Sequence, residues 1–139
     1  MIPPFHLAIP VDDLEAAHNF YTGILGCTVG RTDKKWIDFN FYGHQLVTHL
    51  ATPISKLIDE NGVDGDNVPA FHFGVILEWE KWEKLSERLI SEKISFIIKP
   101  RIRFKGKPGE QGTMFFRDPA GNALEIKSFK DMRQIFATK

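Results

Sequence analysis

An internal repeat constrains this chain more than any other feature, because a chain written twice folds as two copies of one unit. Residues 5–26 read FHLAIPVDDLEAAHNFYTGILG, and residues 71–92 read FHFGVILEWEKWEKLSERLISE. Each copy opens with a strand-like run whose second residue is histidine, then passes into an amphipathic helix. In the first helix Leu14, Ala17, Phe20 or Tyr21, and Ile24 or Leu25 recur at helical spacing. Asp12, with Glu15 three residues on, can cap its start, and Gly26 can end it. In the second, Trp79, Trp82, Leu85 and Leu89 mark the buried face, with Glu80 and Lys84 on the wet side.

After each helix the apolar pattern drops to period two. The first copy offers strands near 27–32, 36–42 and 45–51, and the second near 94–100, 113–117 and 123–129. Asp118-Pro119-Ala120-Gly121-Asn122 has the chemistry of a hairpin turn between the last two. The predicted fold class is therefore α+β, built from paired β-α-β-β-β modules within a single domain. Module one covers about 1–52, a connector 53–70, and module two about 71–130. Asp64 and Asp66 in the acidic connector do not continue into a calcium-binding loop. The tail after Phe129 is expected to form a short terminal helix.

Bulk properties exclude several function classes. Eighteen basic and eighteen acidic residues cancel, which gives no footprint for nucleic acid or an anionic membrane. The longest apolar runs are strand-sized and the N-terminus lacks the features of a signal peptide, so a cytoplasmic protein is expected. Cys27 is the only cysteine, which rules out an internal disulfide and a multi-cysteine zinc site.

Strand parity says where the repeated histidines point. Phe5, Leu7, Ile9 and Val11 share one face, and His6 and Ala8 the other. Phe71, Phe73, Val75 and Leu77 oppose His72 and Gly74 in the same way. The bulky faces are those a helix would cover, so both histidines look out of the opposite face beside a small residue. On the last strand of each copy, His49 shares a face with Val47 and Ala51, and Glu125 shares one with Ala123 and Lys127. Two neutral imidazoles and a carboxylate suit a divalent metal with open positions, which makes His6, His72 and Glu125 the candidate ligands. His18 and His44 read as surface residues. Trp36, Asp38 and Asn40 share a face that can line the cleft, with Phe39 and Phe41 as core.

With the repeated starts and the segment FFRDPAGNALEI, the chain resembles the vicinal oxygen chelate superfamily over nearly its whole length. That superfamily includes glyoxalase I, extradiol ring-cleaving dioxygenases, and fosfomycin and bleomycin resistance proteins. The resemblance implies sheets curled around a metal cleft, with His6, His72 and Glu125 as ligands. Glyoxalase-like members usually draw a fourth ligand, a glutamate or glutamine, from the last strand of the first module, where His49 would stand here. In extradiol dioxygenases a histidine near this point is an acid–base group. Those enzymes generally carry a tyrosine in the strand before the carboxylate, and the similar position here falls on Phe115.

The function expected is a metal-dependent enzyme of the extradiol dioxygenase type that binds a small catechol-like substrate. Iron(II) is the favoured metal, with manganese(II), zinc(II) or nickel(II) compatible with the same ligands. A glyoxalase-like lyase or isomerase, or a thiol transferase, is the alternative on the same site. A metal-free drug-binding protein is the second alternative. The stretch PRIRFKGKPGEQGTMFF (100–116) reads as a mobile substrate-facing loop, with Arg103 and Lys105 among the cations that could clamp a carboxylate and Phe115 nearby. A homodimer is expected, since short curled sheets leave edges to be covered.

Overall fold

The computed structural model describes residues 2–52, 60–63 and 66–138. Its contacts divide the chain into two compact units; the first holds the described residues up to 52 together with Asp118–Asn122, and the second holds the rest. Among the described residues no helix is long and apolar enough to cross a membrane.

The first unit runs β1 (His6–Val11), α1 (Leu14–His18), β2 (Thr28–Thr32), β3 (Trp36–Phe41) and β4 (His44–Leu50). Helix α1 starts one residue later than the sequence pattern suggests. Asp13 rather than Asp12 is the cap, its Oδ1 accepting from the Ala16 amide at 3.0 Å, and the helix continues as a π-helical turn over Asn19–Ile24. The sheet order is β1-β4-β3-β2, with β1 parallel to β4 and the other neighbours antiparallel. Alternation then sorts the side chains. Ile9, Val11, Ile37, Phe39, Phe41 and Leu46 are buried, as are Ala17, Phe20, Tyr21 and Leu25 of the helical segment. The opposite face keeps His6, Asn40, Gln45 and His49 exposed.

The turn at 118–122 is fastened within this first unit. Asp118 Oδ1 accepts from the amides of Ala120 and Asn122, while Oδ2 accepts from Tyr21 Oη at 2.8 Å and Asn122 Nδ2 at 2.9 Å. Asn122 Nδ2 also donates to the Pro10 carbonyl at 2.8 Å. Gly121, at φ +94°, supplies the left-handed step that closes the turn. Burial raises the Asp118 carboxyl pKa against the pull of its four donors, and the Tyr21 hydroxyl, buried beside it, is raised well above its ordinary value.

The second unit begins with a ribbon that the sequence reading treated as plain connector: β5 (Glu60–Val63) pairs antiparallel with β6 (Asp66–Pro69). The remainder of that connector, residues 53–59 with Asp64 and Gly65, lies outside the described residues. Then follow β7 (Phe73–Ile76), α2 (Trp79–Ser91), β8 (Phe96–Arg103), β9 (Gln111–Arg117) and β10 (Ala123–Phe129), ordered β7-β10-β9-β8. This repeats the first unit's order, with β7 parallel to β10. Trp82, Leu85 and Leu89 of α2 are buried along with Met114, Phe116, Leu124 and Ile126. The Trp82 indole donates to the Ile126 carbonyl at 3.0 Å. The tail makes one 3-10 turn, Met132–Gln134.

Candidate functional site

On the second sheet the residues facing away from α2 form one connected set. Glu125 on β10 is directly opposite Phe115 on β9 and beside Gly74 on β7. His72 precedes β7, and its Nε2 lies 3.5 Å from Glu125 Oε1. Each group is held by its other polar atom. His72 Nδ1 is 2.8 Å from the Pro69 carbonyl oxygen, which only accepts, so Nδ1 carries a proton and Nε2 is the atom turned toward Glu125. Thr113 Oγ1 donates to Glu125 Oε2 at 2.6 Å, leaving Oε1 toward the histidine. The Phe115 ring meets the His72 ring edge-on, with centroids 4.9 Å apart. A cavity of about 210 Å³ opens here, lined by His72, Gly74, Ile76, Glu125 and Lys127 among others. That is room for a few chelating atoms rather than a whole small-molecule ligand.

Gly74 is small for a different reason from the one the sequence suggests. A Cβ built there would land on the Glu125 carbonyl oxygen, so the missing side chain lets β7 close on β10. The connector ribbon also contributes to this set. Val68 packs with Ile98 and Phe115, and the next residue, Pro69, offers the carbonyl that holds His72. Phe115 is consequently buried, 2% exposed, behind the imidazole.

On the first sheet His6 is paired in register with Gln45, and its Nδ1 lies 2.8 Å from Gln45 Oε1. Gln45 Nε2 in turn donates to Asp38 Oδ2 at 3.3 Å. His44 is no surface bystander, for its Nδ1 accepts from the Phe5 amide at 2.8 Å. A cavity of about 560 Å³ opens beside this chain of groups, lined by Arg31, Asp38, Asn40, His44 and Gln45 among others. Its volume is that of a small-molecule site.

The register also sorts the residues expected to act with the histidines. Val47 lies beside Ala8, two residues after His6, as Glu125 lies beside Gly74, two residues after His72. Valine therefore occupies the place on β4 that matches Glu125, and His49, opposite Trp36, stands further along the strand. Arg103 ends strand β8, paired with Gln111, so the strands expected near 94–100 and 113–117 run on through residues 101–103 and 111–112, where a mobile loop was expected. Lys105 is exposed on the connecting turn. Cys27 is buried and its thiol is pushed up to about 11, which removes it as a nucleophile at neutral pH. Among the described residues no three His, Cys, Asp or Glu side chains gather as a metal ion would need. His72 and Glu125 do fit a metal as a pair of donors, since Nε2 and Oε1 converge and their remaining polar atoms are held from behind. Gln45, Thr113 and Pro69 were not singled out by sequence reasoning, since what marks them is a partner on a neighbouring strand or ribbon.

Comparison with known proteins agrees with this architecture. The family profile described as "Glyoxalase/Bleomycin resistance protein/Dioxygenase superfamily" matches residues 4–126. Among solved structures, the chain is similar to a glyoxalase/bleomycin resistance protein/dioxygenase from Alicyclobacillus acidocaldarius, at 34% identity over 96% of each chain with a TM-score of 0.77. It is similar in fold to the fosfomycin resistance protein FosX from Listeria monocytogenes, at 17% identity over 96% of this chain and 98% of that one, TM-score 0.68. It also shares its fold with a lactoylglutathione lyase from Agrobacterium tumefaciens, at 18% identity over 92% of this chain and 94% of that one, TM-score 0.63. No curated protein matches the chain.

Proposed function

We infer the activity from two premises: the chain belongs to the glyoxalase/bleomycin resistance protein/dioxygenase superfamily, and its second unit pairs an imidazole with a carboxylate, Nε2 facing Oε1. On this reading the protein is a metal-dependent enzyme of the extradiol dioxygenase type, acting on a small substrate with two adjacent oxygens. The 3.5 Å approach of His72 Nε2 to Glu125 Oε1 carries it. His6 is the proposed third donor, from the same chain or from a second copy in a homodimer.

Val47 favours oxygenation over glyoxalase-like chemistry. A glyoxalase-like member would draw a fourth donor from this strand, and a valine at the place matching Glu125 cannot provide one. Two histidines and one carboxylate leave positions open for a bidentate substrate and a further small molecule, the pattern of non-haem iron(II) sites. When bound, the metal would supply Lewis acidity toward the substrate oxygens and electrons for dioxygen.

The protein's own groups do the rest. Thr113 and the Pro69 carbonyl keep Glu125 and His72 from rotating, so little order must be gained when substrate arrives. Phe115 backs the imidazole with an apolar wall, where a tyrosine would have offered the substrate a hydroxyl. His49 takes a proton from a substrate hydroxyl and returns one to the product. Arg103 and Lys105 are the proposed contacts for an anionic substituent. The test is anaerobic loading with iron(II), then oxygen uptake against a panel of catechols. Uptake that requires both iron and a catechol is expected. Silence there, with isomerisation of a hemithioacetal under zinc or nickel, would replace the oxygenase reading with the lyase one.

A further inference from the structure

We propose that Gln45, itself held by Asp38, is a positioning residue that fixes His6 with its proton on Nδ1, so that the Nε2 lone pair is presented as a donor. The register brings these groups together: Gln45 on β4 is beside His6 on β1 and opposite Asn40 on β3, with Asp38 one pair further along the same face. The hydrogen bonds then follow from what each atom can do. An ionised carboxylate only accepts, so the Gln45 amide turns its NH2 to Asp38 Oδ2, at 3.3 Å. That leaves Gln45 Oε1 facing His6 Nδ1 at 2.8 Å, and a carbonyl oxygen also only accepts. The proton is therefore on His6 Nδ1. A neutral histidine in water favours the other nitrogen, so the relay works against the ring's own preference.

His72 is likewise held with a proton on Nδ1, through the backbone carbonyl of Pro69. The first unit uses two side chains for the same result, and both of them line the cavity of about 560 Å³. The tautomer does not depend on the function proposed above; the part played by Nε2 as a metal donor rests on that reading.

Nitrogen NMR of the metal-free protein, at a pH where the ring is neutral, reads the tautomer directly. Wild-type His6 is expected with its proton on Nδ1. In Gln45→Leu the signal should shift to a mixture dominated by Nε2–H, in Asp38→Leu it should shift part of the way, and Gln45→Glu should restore the wild-type pattern. Gln45 is exposed, so its two variants should keep the fold even if half-buried Asp38 proves less tolerant. In a zinc titration followed by calorimetry, Gln45→Leu should weaken binding by roughly 10- to 100-fold and Gln45→Glu should recover most of it. A wild-type His6 carrying its proton on Nε2, or a Gln45→Leu spectrum like wild type, would overturn the proposal. The expected tautomers in a protein that binds no zinc would leave the positioning role standing and remove its metal half.

Discussion

In the first unit Ala8 lies beside Val47, and at the matching place in the second Gly74 lies beside Glu125. The strand order is the same in both sheets, and so is the parallel pairing of first strand with last. What differs is how closely the first strand approaches the last and what it approaches. The second unit gives up a side chain at Gly74 and gains a carboxylate held against an imidazole. The first keeps ordinary side chains at both places, holds its histidine through an amide relay, and opens the larger cavity. One topology thus supports two kinds of open face, with donor atoms concentrated on one and ligand-sized space on the other.

Exchanging the small residues separates the two strand pairs. Gly74→Ala drives a methyl group onto the Glu125 carbonyl, and the cost of forcing two paired backbones apart should reach about 3 kcal/mol or more. Ala8→Gly, at the matching exposed position, should cost no more than about 1 kcal/mol. Urea denaturation of the two variants measures both. Equal costs would mean that the two strand pairs are equivalent after all.

The two units also fix their helical segments differently, through Tyr21 to a buried carboxylate and through Trp82 to a backbone carbonyl. Tyr21→Phe takes one donor from Asp118 and should cost about 2 kcal/mol at neutral pH, in the range for hydrogen bonds to charged groups. Its pH dependence has a definite sign. Burial already raises the folded-state pKa of Asp118, so its contribution to stability is fully present below the unfolded value and falls as pH rises through the folded one. Losing a donor to the ionised form raises that pKa further. The deficit of Tyr21→Phe relative to wild type should therefore grow from acid toward neutral pH, and denaturation curves across that range would check it.

The smallest effect concerns the residue that ends each helical segment in the left-handed region. Gly26 serves at φ +76° in the first unit, whereas Lys93 is held at φ +57° in the second. Lys93→Gly should remove that strain and stabilise the protein by about 1 kcal/mol, visible as a higher urea midpoint. A loss of stability would show that Lys93 makes up for its backbone elsewhere.

Much of this was legible in the sequence because it follows from period and parity. The repeat announced the paired β-α-β-β-β order, and alternation put His6 on the open face and Phe39 and Phe41 in the core. Features that depend on which strand pairs with which, and in what register, were out of reach. Gln45 is 39 residues from His6, and only the parallel pairing of β1 with β4 makes them neighbours. The same register gives the place matching Glu125 to Val47, although His49 is the more conspicuous residue in the string. The ribbon at Glu60–Val63 and Asp66–Pro69 was hidden by a composition rich in glycine and acid, which reads as linker. Helix α1 was misjudged by one residue because Asp12 and Asp13 are both competent caps and local sequence does not choose between them.

Metal stoichiometry decides whether His72 and Glu125 hold a metal. The protein is loaded with iron(II) under anaerobic conditions, desalted, and its bound metal counted for wild type, His72→Ala, Glu125→Ala and His49→Ala. Wild type and His49→Ala should retain one metal ion per chain, with turnover slowed in the latter. His72→Ala and Glu125→Ala should retain almost none. Metal content unchanged in His72→Ala or Glu125→Ala would contradict the account, because the paired donors on the second sheet would then not be what holds the metal.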